Sequence, residues 1–491
     1  MLILGAFAGF LIAFALPPWG WWPSALAGFA LFDYLGVDAS RRQRFATGAA
    51  AGIVWLAMGE LWMFDLTAPG YVVVFVVFGG GYGLVSVAAG ATNRRILALP
   101  AAFLAYEWFR WSWPFGGVPL ATVPMTQVNS LLSEVLPLGG PLLLTAVTVA
   151  TGSAIRLLLT QRYDMAGITI ATVTFAVLAG VVSPGSTVID EIDVAVVQGG
   201  GPQRTRADAC ENQAVFDRHR EATATISQDV DLIMWPENVV NPFPDNTPLG
   251  RCDDLLFVSE AEESLGTIAR EHDAVLIPGW FLGAGPEFPN NTVNYSTAVS
   301  PEGEEIDRYD KVRIVPFGEF VPLRGLIERF SAEAPGRDVL PGEGPAVLET
   351  PVATLGVSIS WEIFFESRGR AAIRDGGEIL VNPTNGSSFW LQILQSQQIA
   401  SSQLRARESD RWVLQAAPTG FSGIIDPDGN VLQRTSVSEQ RVLFDTIERR
   451  EGLTLSTRLG VAPWLIAAMV ILIGSWVNAL RIRRVPLPDH R

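Results

Sequence analysis

The chain has 491 residues, of which 49% are hydrophobic and 17% charged, well under the roughly 25% charged share of soluble domains. This is the balance of a membrane protein, and the net charge of −15 excludes a nucleic-acid binder because nothing could neutralise a run of phosphates. The charge is unevenly spread: residues 1–183 hold 15 charged side chains, 184–458 hold 65 and 459–491 hold 5.

Apolar runs that approach the roughly 30 Å hydrocarbon core occur at 1–17, 20–36, 45–62, 71–93, 97–113, 136–159, 166–183 and 460–480. They predict a membrane α-helical bundle of about eight spans: seven helices in 1–183, a soluble insert over 184–458, and a last helix with a basic tail in 459–491. The first run lacks a basic leading segment and an A-x-A site and runs into Pro17-Pro18-Trp19-Gly20. It is expected as a retained span and not a cleaved signal.

Arginines set the expected orientation. Arg41, Arg42 and Arg44 follow the second run, Arg94 and Arg95 the fourth, Arg156 and Arg162 the sixth, and Arg481, Arg483, Arg484 and Arg491 the last. Only Arg110 falls at the opposite side. Taking the arginine-rich side as cytoplasmic puts the chain in the cytoplasmic membrane as a multi-pass protein, with both termini inside and 184–458 outside. A transporter would place ionisable groups near the midplane in paired halves. Here Glu60, Asp65 and Glu107 sit toward helix ends, and no internal repeat is visible. Trp19, Trp21, Trp22, Trp108, Trp111 and Trp113 are expected as interfacial belts.

Within 184–458, short β-rich runs alternate with amphipathic stretches. Strands are expected at 193–197, 231–236, 274–279, 294–300, 354–360, 378–382, 412–417 and 423–425, with helices at 207–226, 261–272, 361–375 and 393–411. Apolar strands alternating with helices predict an α/β fold with covered sheets, and Asp426-Pro427-Asp428-Gly429 a hairpin turn. Cys210 and Cys252 both fall in the domain expected outside, where a disulfide is favoured over two free thiols. Only His219, His272 and His490 occur, which leaves a histidine metal site or a Ser-His-Asp triad poorly supported.

Three segments place ionisable groups just beyond apolar strands. In Trp235-Pro236-Glu237 the proline ends the ladder and turns Glu237 out beside an indole, where desolvation would suit a general base; alone it is equally a plain loop carboxylate. In Tyr309-Asp310-Lys311, Lys311 is the one lysine beside 34 arginines. A chain that writes arginine wherever any cation serves is expected to use Lys311 as a compact ammonium aimed at a developing oxyanion. In Ser358-Ile359-Ser360-Trp361-Glu362, Ser360 falls where a strand runs into a helix, as a hydroxyl polarised by helix amides or as an ordinary N-cap.

Together and in this order the segments resemble the nitrilase (carbon-nitrogen hydrolase) superfamily and, with the seven-plus-one helices, its apolipoprotein N-acyltransferase family. The matching pieces are Trp235-Pro236-Glu237, Lys311 with Val315-Pro316-Phe317-Gly318-Glu319-Phe320-Val321-Pro322, and Ser360-Trp361-Glu362. Val197-Gln198-Gly199, Val381-Asn382-Pro383-Thr384-Asn385, Arg405-Ala406-Arg407-Glu408 and Thr419-Gly420 are similar to its supporting elements. The resemblance implies an αββα sandwich and a reaction needing no metal or other cofactor. An acyl chain leaves a phospholipid for the nucleophile and passes to the α-amino group of a lipoprotein's diacylglyceryl-cysteine. It assigns Glu237 as base, Lys311 as oxyanion stabiliser and Ser360 as nucleophile, with Glu319, Glu362 and Trp361 in support. The family has cysteine where Ser360 stands; Ala207 replaces an expected tryptophan, and Asn385-Gly386-Ser387-Ser388 replaces Asn-Asp. The alternatives are a catalytically degenerate paralogue that binds lipoproteins or a partner, and a membrane-tethered C–N hydrolase.

Overall fold

Helix forms at each of the eight apolar runs in the computed structural model, which describes residues 1–92, 95–201, 209–244, 256–327, 336–386 and 392–484. The chain divides into two compact units, Met1–Ser183 with Leu459–Arg491, and Pro184–Arg458.

In the first unit Ala68–Ala88, Leu131–Leu159 and Tyr163–Val181 are long and apolar enough to cross a membrane. Leu2–Phe14 and Ala462–Val477 are apolar but shorter. The remaining three helices carry charge. Arg41–Gly59 starts ahead of its apolar run, because Ser40 caps it and exchanges hydrogen bonds with Gln43 at 2.9 and 3.3 Å. Trp22–Gly36 contains Asp33, and Arg95–Ser112 contains Arg95, Glu107 and Arg110. Length and hydropathy thus establish three candidate spans, not eight.

The charges of Trp22–Gly36 and Arg95–Ser112 are buried inside the unit and paired. Asp33 accepts from Arg95 Nε at 2.8 Å and from Arg156 Nε at 3.1 Å, and all three side chains are withdrawn from solvent. Arg95 also donates to the carbonyls of Ser86 and Gly90 at 2.9 and 2.7 Å. At a second cluster Arg110 Nη1 donates to Glu107 Oε1 and to the Tyr82 hydroxyl, both at 2.9 Å. Arg110 Nη2 donates to the Leu120 carbonyl at 2.8 Å, while Glu107 Oε2 accepts from Val123 N at 3.0 Å. The one arginine that breaks the positional asymmetry is therefore held as a buried counter-ion. Close helix approach needs glycine: a Cβ on Gly9 would lie 2.0 Å from the Ala51 carbonyl oxygen.

The second unit contains fourteen strands among the described residues: β1 (Thr187–Gln198), β2 (Leu232–Met234), β3 (Val275–Ile277), β4 (Gly279–Gly283), β5 (Asn291–Val299), β6 (Glu305–Asp310), β7 (Asp338–Val339), β8 (Val347–Glu349), β9 (Thr354–Val357), β10 (Ile379–Pro383), β11 (Val413–Ala416), β12 (Gly423–Ile425), β13 (Val431–Arg434) and β14 (Arg441–Glu451). They build two sheets. One runs β14-β1-β2-β3-β5-β4 with β6 and β7 on β5, and the other runs β13-β12-β11-β10-β9-β8. The strands β1, β2 and β3 are parallel, as are β9, β10 and β11.

Alternation along each central strand explains the layers. Val194, Val196, Leu232, Met234, Val275 and Ile277 pack between the sheets against Leu355, Val357, Ile379, Val381 and Leu414. Their neighbours Ala195, Val197, Ile233 and Leu276 face the other way, against Val215, Phe216, Leu265 and Ala269 of helices Ala209–Thr223 and Val258–His272. On the second sheet Leu380 and Val413 pack outward on Ala372, Ile373 and Ala406 of helices Glu366–Arg374 and Ile393–Ser409. Strands covered on both faces read as unbroken apolar runs, and the result is the expected αββα sandwich. The first and last strands, β1 and β14, pair antiparallel from Thr187↔Glu451 to Gln198↔Arg441, so the chain enters and leaves this unit side by side.

Two expectations change. The helix expected at 361–375 starts later: Ser360–Phe364 is a 3-10 turn and the α-helix is Glu366–Arg374, with Phe365 as its N-cap. The strands β4, β6, β7, β8 and β14 were not expected, because β6 and β14 mix charged residues with apolar ones and the other three are short. The Cys210–Cys252 bridge lies outside the described residues, as do Ala207, Ser387 and Ser388.

His219 ties the Ala209–Thr223 helix to the end of β1. Its Nδ1 donates to the Val215 carbonyl at 2.7 Å and its Nε2 accepts from Gly199 N at 3.0 Å, a pair that only the neutral ring can make. Burial pushes its pKa from the ordinary 6.5 down to about 4. The folded state therefore binds fewer protons than the unfolded one in this window, and the stability it contributes is full above about pH 6.5 and lost as pH falls toward about 4. The unfolding midpoint of the wild type should drop more between pH 7 and pH 4 than that of His219→Gln; equal drops would show that this ring does not carry the dependence.

Candidate functional site

Lys311 follows β6, and its backbone N–H donates to the Asn294 carbonyl on β5 at 2.9 Å. The side chain points into the protein and is 1% exposed. Its Nζ donates to Glu237 Oε1 and to Glu319 Oε1, both at 2.8 Å. Asn294 Nδ2 donates to the same two oxygens, at 2.8 and 3.1 Å. Burial by itself would lower the pKa of this ammonium, but the two carboxylates outweigh it and hold the value above the ordinary lysine range. An ammonium has three donors, so one N–H remains for a third acceptor.

Glu237 is brought there by the end of β2. Trp235 N donates to the Ile277 carbonyl at 3.0 Å, and Val239 and Val240 N donate to the Gly279 carbonyl at 3.1 and 3.0 Å. A Cβ on Gly279 would lie 2.8 Å from Glu237 Cα, so glycine lets the two segments touch. The indole that precedes Glu237 faces elsewhere: Trp235 Nε1 donates to Thr223 Oγ1 at 3.0 Å and its ring packs on Phe216 and His219. The partners of Glu237 are an ammonium and an amide in place of the expected indole. Both hydrogen bonds to it among the described residues end on Oε1, which leaves Oε2 for proton transfer. Glu319 is held by its own turn, its N–H donating to the Val315 carbonyl at 2.9 Å while its Oε2 accepts from Val315 N at 2.8 Å.

Glu362 is fully buried and accepts four hydrogen bonds. Oε1 takes the backbone N–H groups of Val312 and Arg313, both at 3.0 Å; Oε2 takes Ile359 N at 2.8 Å and the Tyr309 hydroxyl at 2.7 Å. Burial and then the Glu362 charge push the Tyr309 phenol well above its ordinary pKa, so it stays a donor. Glu362 thereby joins the loop just after Lys311 to the turn that carries Ser360. Trp361, beside it, packs on the rings of Phe364 and Phe365 at 5.5 and 5.7 Å.

Ser360 follows β9 with a φ of +52°, the left-handed region that L-residues other than glycine, asparagine and aspartate rarely adopt. It is not the N-cap of an α-helix. Its N–H donates to Asn382 Oδ1 at 3.2 Å, its carbonyl accepts from Gln398 Nε2 at 3.3 Å, and its Oγ accepts from Thr384 Oγ1 at 3.2 Å. Asn382 is held in turn by Ser402 and Gln415 at 3.3 and 3.0 Å.

The structure thus brings Glu237, Lys311 and Glu319 into direct contact and links Ser360 to them through Glu362. Among the described residues no group of three His, Cys, Asp or Glu is placed to hold a metal ion. Asn294 and Gln398 were not singled out from the sequence, and Thr384 entered only within the supporting segment Val381-Asn382-Pro383-Thr384-Asn385. Their signal is faint: Asn294 is a polar residue in an otherwise buried strand, and Gln398 lies on the Ile393–Ser409 helix, which is polar in sequence yet buried on nearly every face.

Removing the ammonium would leave two carboxylates buried together. Lys311→Met should cost about 3–5 kcal/mol, the usual loss on breaking a buried pair, and adding Glu237→Gln should restore part of it. Denaturant unfolding of both variants checks this; a double variant no more stable than the single would remove the charge argument.

The carbon-nitrogen hydrolase family model matches residues 193–452, more than half of the chain, and the model described as the apolipoprotein N-acyltransferase N-terminal domain matches residues 8–154. The apolipoprotein N-acyltransferase of Mycolicibacterium smegmatis is 27% identical over 94% of this chain and 82% of its own length. That of Pseudomonas paraeruginosa is 27% identical over 100% of this chain and 97% of its own. Among solved structures, Saccharomyces cerevisiae Nit3 aligns with 54% of this chain and 93% of its own at 17% identity and a TM-score of 0.39.

Proposed function

The chain belongs to the carbon-nitrogen hydrolase family and, within it, to the apolipoprotein N-acyltransferases, and from that premise we propose how its residues perform acyl transfer. The enzyme is an N-acyltransferase of lipoprotein biosynthesis. Its donor in this reading is a membrane phospholipid and its acceptor the free α-amino group of a diacylglyceryl-cysteine.

Glu237 Oε2 takes the proton of the Ser360 hydroxyl as Oγ attacks the phospholipid ester carbonyl. The third N–H of Lys311 meets the oxygen that becomes negative. The tetrahedral adduct expels the lysophospholipid alkoxide, which receives the proton back from Glu237. The lipoprotein amine then attacks the acyl-Ser360 ester and gives a proton to Glu237, which passes it to the departing Ser360 oxygen. Lys311 again faces the oxyanion. Glu319 and Glu362 hold Lys311, one through its ammonium and the other through its loop, and Trp361 packs beside the serine turn. The observation that carries the reading is the buried Lys311 ammonium shared by Glu237 and Glu319 in a chain that matches its relatives from end to end.

The helical unit supports a membrane enzyme. We read all eight helices as spans, with Pro184–Arg458 outside the cytoplasmic membrane and both termini inside. Reporter fusions at Thr160 and Ser300 should be active on the inner and the outer side respectively; cytoplasmic-only activity at Ser300 would reverse the orientation.

Incubation with phospholipid should leave an acyl ester on the peptide containing Ser360, and Ser360→Ala should abolish both adduct and transfer. Ser360→Cys should be at least as active, because a thiolate forms more readily than an alkoxide. Lys311→Arg should lose about 10²–10³-fold or more, since its planar fork does not fit a site built for a compact ammonium. A wild type without adduct or transfer, beside an active Ser360→Cys, would mark a catalytically degenerate relative that binds lipoproteins or a partner. Transfer by Ser360→Ala would show that another group is the nucleophile.

A further inference from the structure

Resting on Ser360 as the nucleophile, we infer that Thr384 is a second catalytic hydroxyl, oriented by Gln398, that donates a hydrogen bond to the Ser360 oxygen as it becomes negative. Directions within this group follow from one fixed acceptor. The Ser360 carbonyl can only accept, so the Gln398 side-chain atom 3.3 Å from it is Nε2 and not Oε1. The same Nε2 lies 2.5 Å from Thr384 Oγ1. An amide nitrogen only donates, so its two hydrogens go to the Ser360 carbonyl and to the Thr384 oxygen. With that oxygen accepting, the Thr384 proton is directed to Ser360 Oγ, 3.2 Å away.

Ser360 Oγ therefore receives a donor, and its own proton is free to leave toward the base. That matters for a serine in this position. A hydroxyl must surrender nearly all its proton as it attacks, whereas a thiol is partly ionised near neutrality. A donor already in place, held by residues that are 1% and 4% exposed, strengthens as charge grows on Oγ and weakens again once Oγ becomes an ester oxygen. It is stronger in the transition state than in either ground state, which is the condition for acceleration. The same bond assists the second half-reaction, when the Ser360 oxygen departs. Thr384 touches the reacting atom; Gln398 acts through it, as a positioning residue that also ties down the carbonyl of the left-handed Ser360.

The test is single-turnover acylation of full-length enzyme by phospholipid in detergent micelles, following the acyl adduct on Ser360 by mass spectrometry. Thr384→Val should slow acylation about 10- to 100-fold, the span of one hydrogen bond to a charged group, with little change in the phospholipid KM and a more alkaline pH profile. Thr384→Ser, which keeps the hydroxyl, should stay within about threefold of wild type. Gln398→Leu should lose part of the rate and show the same alkaline displacement, which keeps the inference testable if Thr384→Val fails to fold. In the Ser360→Cys background Thr384→Val should cost much less, because sulfur is a weak acceptor and the thiolate forms without help. Wild-type acylation by Thr384→Val, or equal losses in the serine and cysteine backgrounds, would overturn the role and leave Thr384 a packing residue. Absence of any adduct in the wild type would instead overturn the nucleophile assignment, and this inference with it.

Discussion

A single ammonium withdrawn from water is the constraint around which the unit Pro184–Arg458 organises its candidate site. Burying a charge costs several kcal/mol unless partners replace its hydration, and Lys311 finds them in Glu237 and Glu319. Those carboxylates come from different segments, the loop after β2 and the tight turn at 315–319, so the pairing obliges three stretches of chain to meet. Asn294 completes the arrangement by donating to both oxygens. Arginine would not serve. Its five donors in a rigid fork need more acceptors than two clamped oxygens provide, which gives a physical reason for one lysine among 34 arginines.

The sandwich presents these groups at the ends of its strands. Glu237 lies just past β2, Lys311 past β6, Ser360 past β9 and Thr384 past β10. Glu237, Ser360 and Thr384 thus follow parallel strands, whose ends are where α/β sheets collect their chemistry, while Lys311 reaches them from β6, which is antiparallel to β5. Ser360 takes up a backbone conformation that costs on the order of 1–3 kcal/mol and is over-determined by its neighbours: Asn382 holds its N–H, Gln398 its carbonyl and Thr384 its oxygen. Glu362 then fixes this turn relative to the lysine loop through four hydrogen bonds. Its role is to set the distance between two halves of the site, a task for which a carboxylate with two acceptor oxygens is suited and an amide is not.

The helical unit follows the same rule of paired charge. Asp33 meets Arg95 and Arg156, and Glu107 meets Arg110 and Tyr82. In an apolar surrounding such groups are tolerated when they satisfy one another. Part of the arginine asymmetry along the chain is therefore structural, since Arg95 and Arg156 are buried between helices. Two of the helices that look too polar to span, Trp22–Gly36 and Arg95–Ser112, carry their charge inward.

Beyond what the family resemblance implied for the sandwich, Glu319 and Glu362, the sequence by itself determined the eight apolar helices and the alternation of strand and helix, and it marked Glu237, Lys311 and Ser360 as candidates. These are properties that local pattern controls: apolar run length, covered strands read as unbroken hydrophobic stretches, and rare residue types placed just beyond strand ends. It was silent on β6 and β14, whose interspersed charges resemble solvated loops until a partner strand is supplied. It also misplaced the helix after Ser360, because the 3-10 turn there depends on Glu362 reaching Ile359, Val312 and Arg313 at once. Who partners whom was decided only by the tertiary structure. Trp235 turns away from Glu237, Arg110 finds Glu107, and Gln398 comes to Thr384 from a helix whose polar residues have no periodic signature. Contacts between residues far apart in the chain depend on how the sheets and helices close over one another, and no local propensity records that closure.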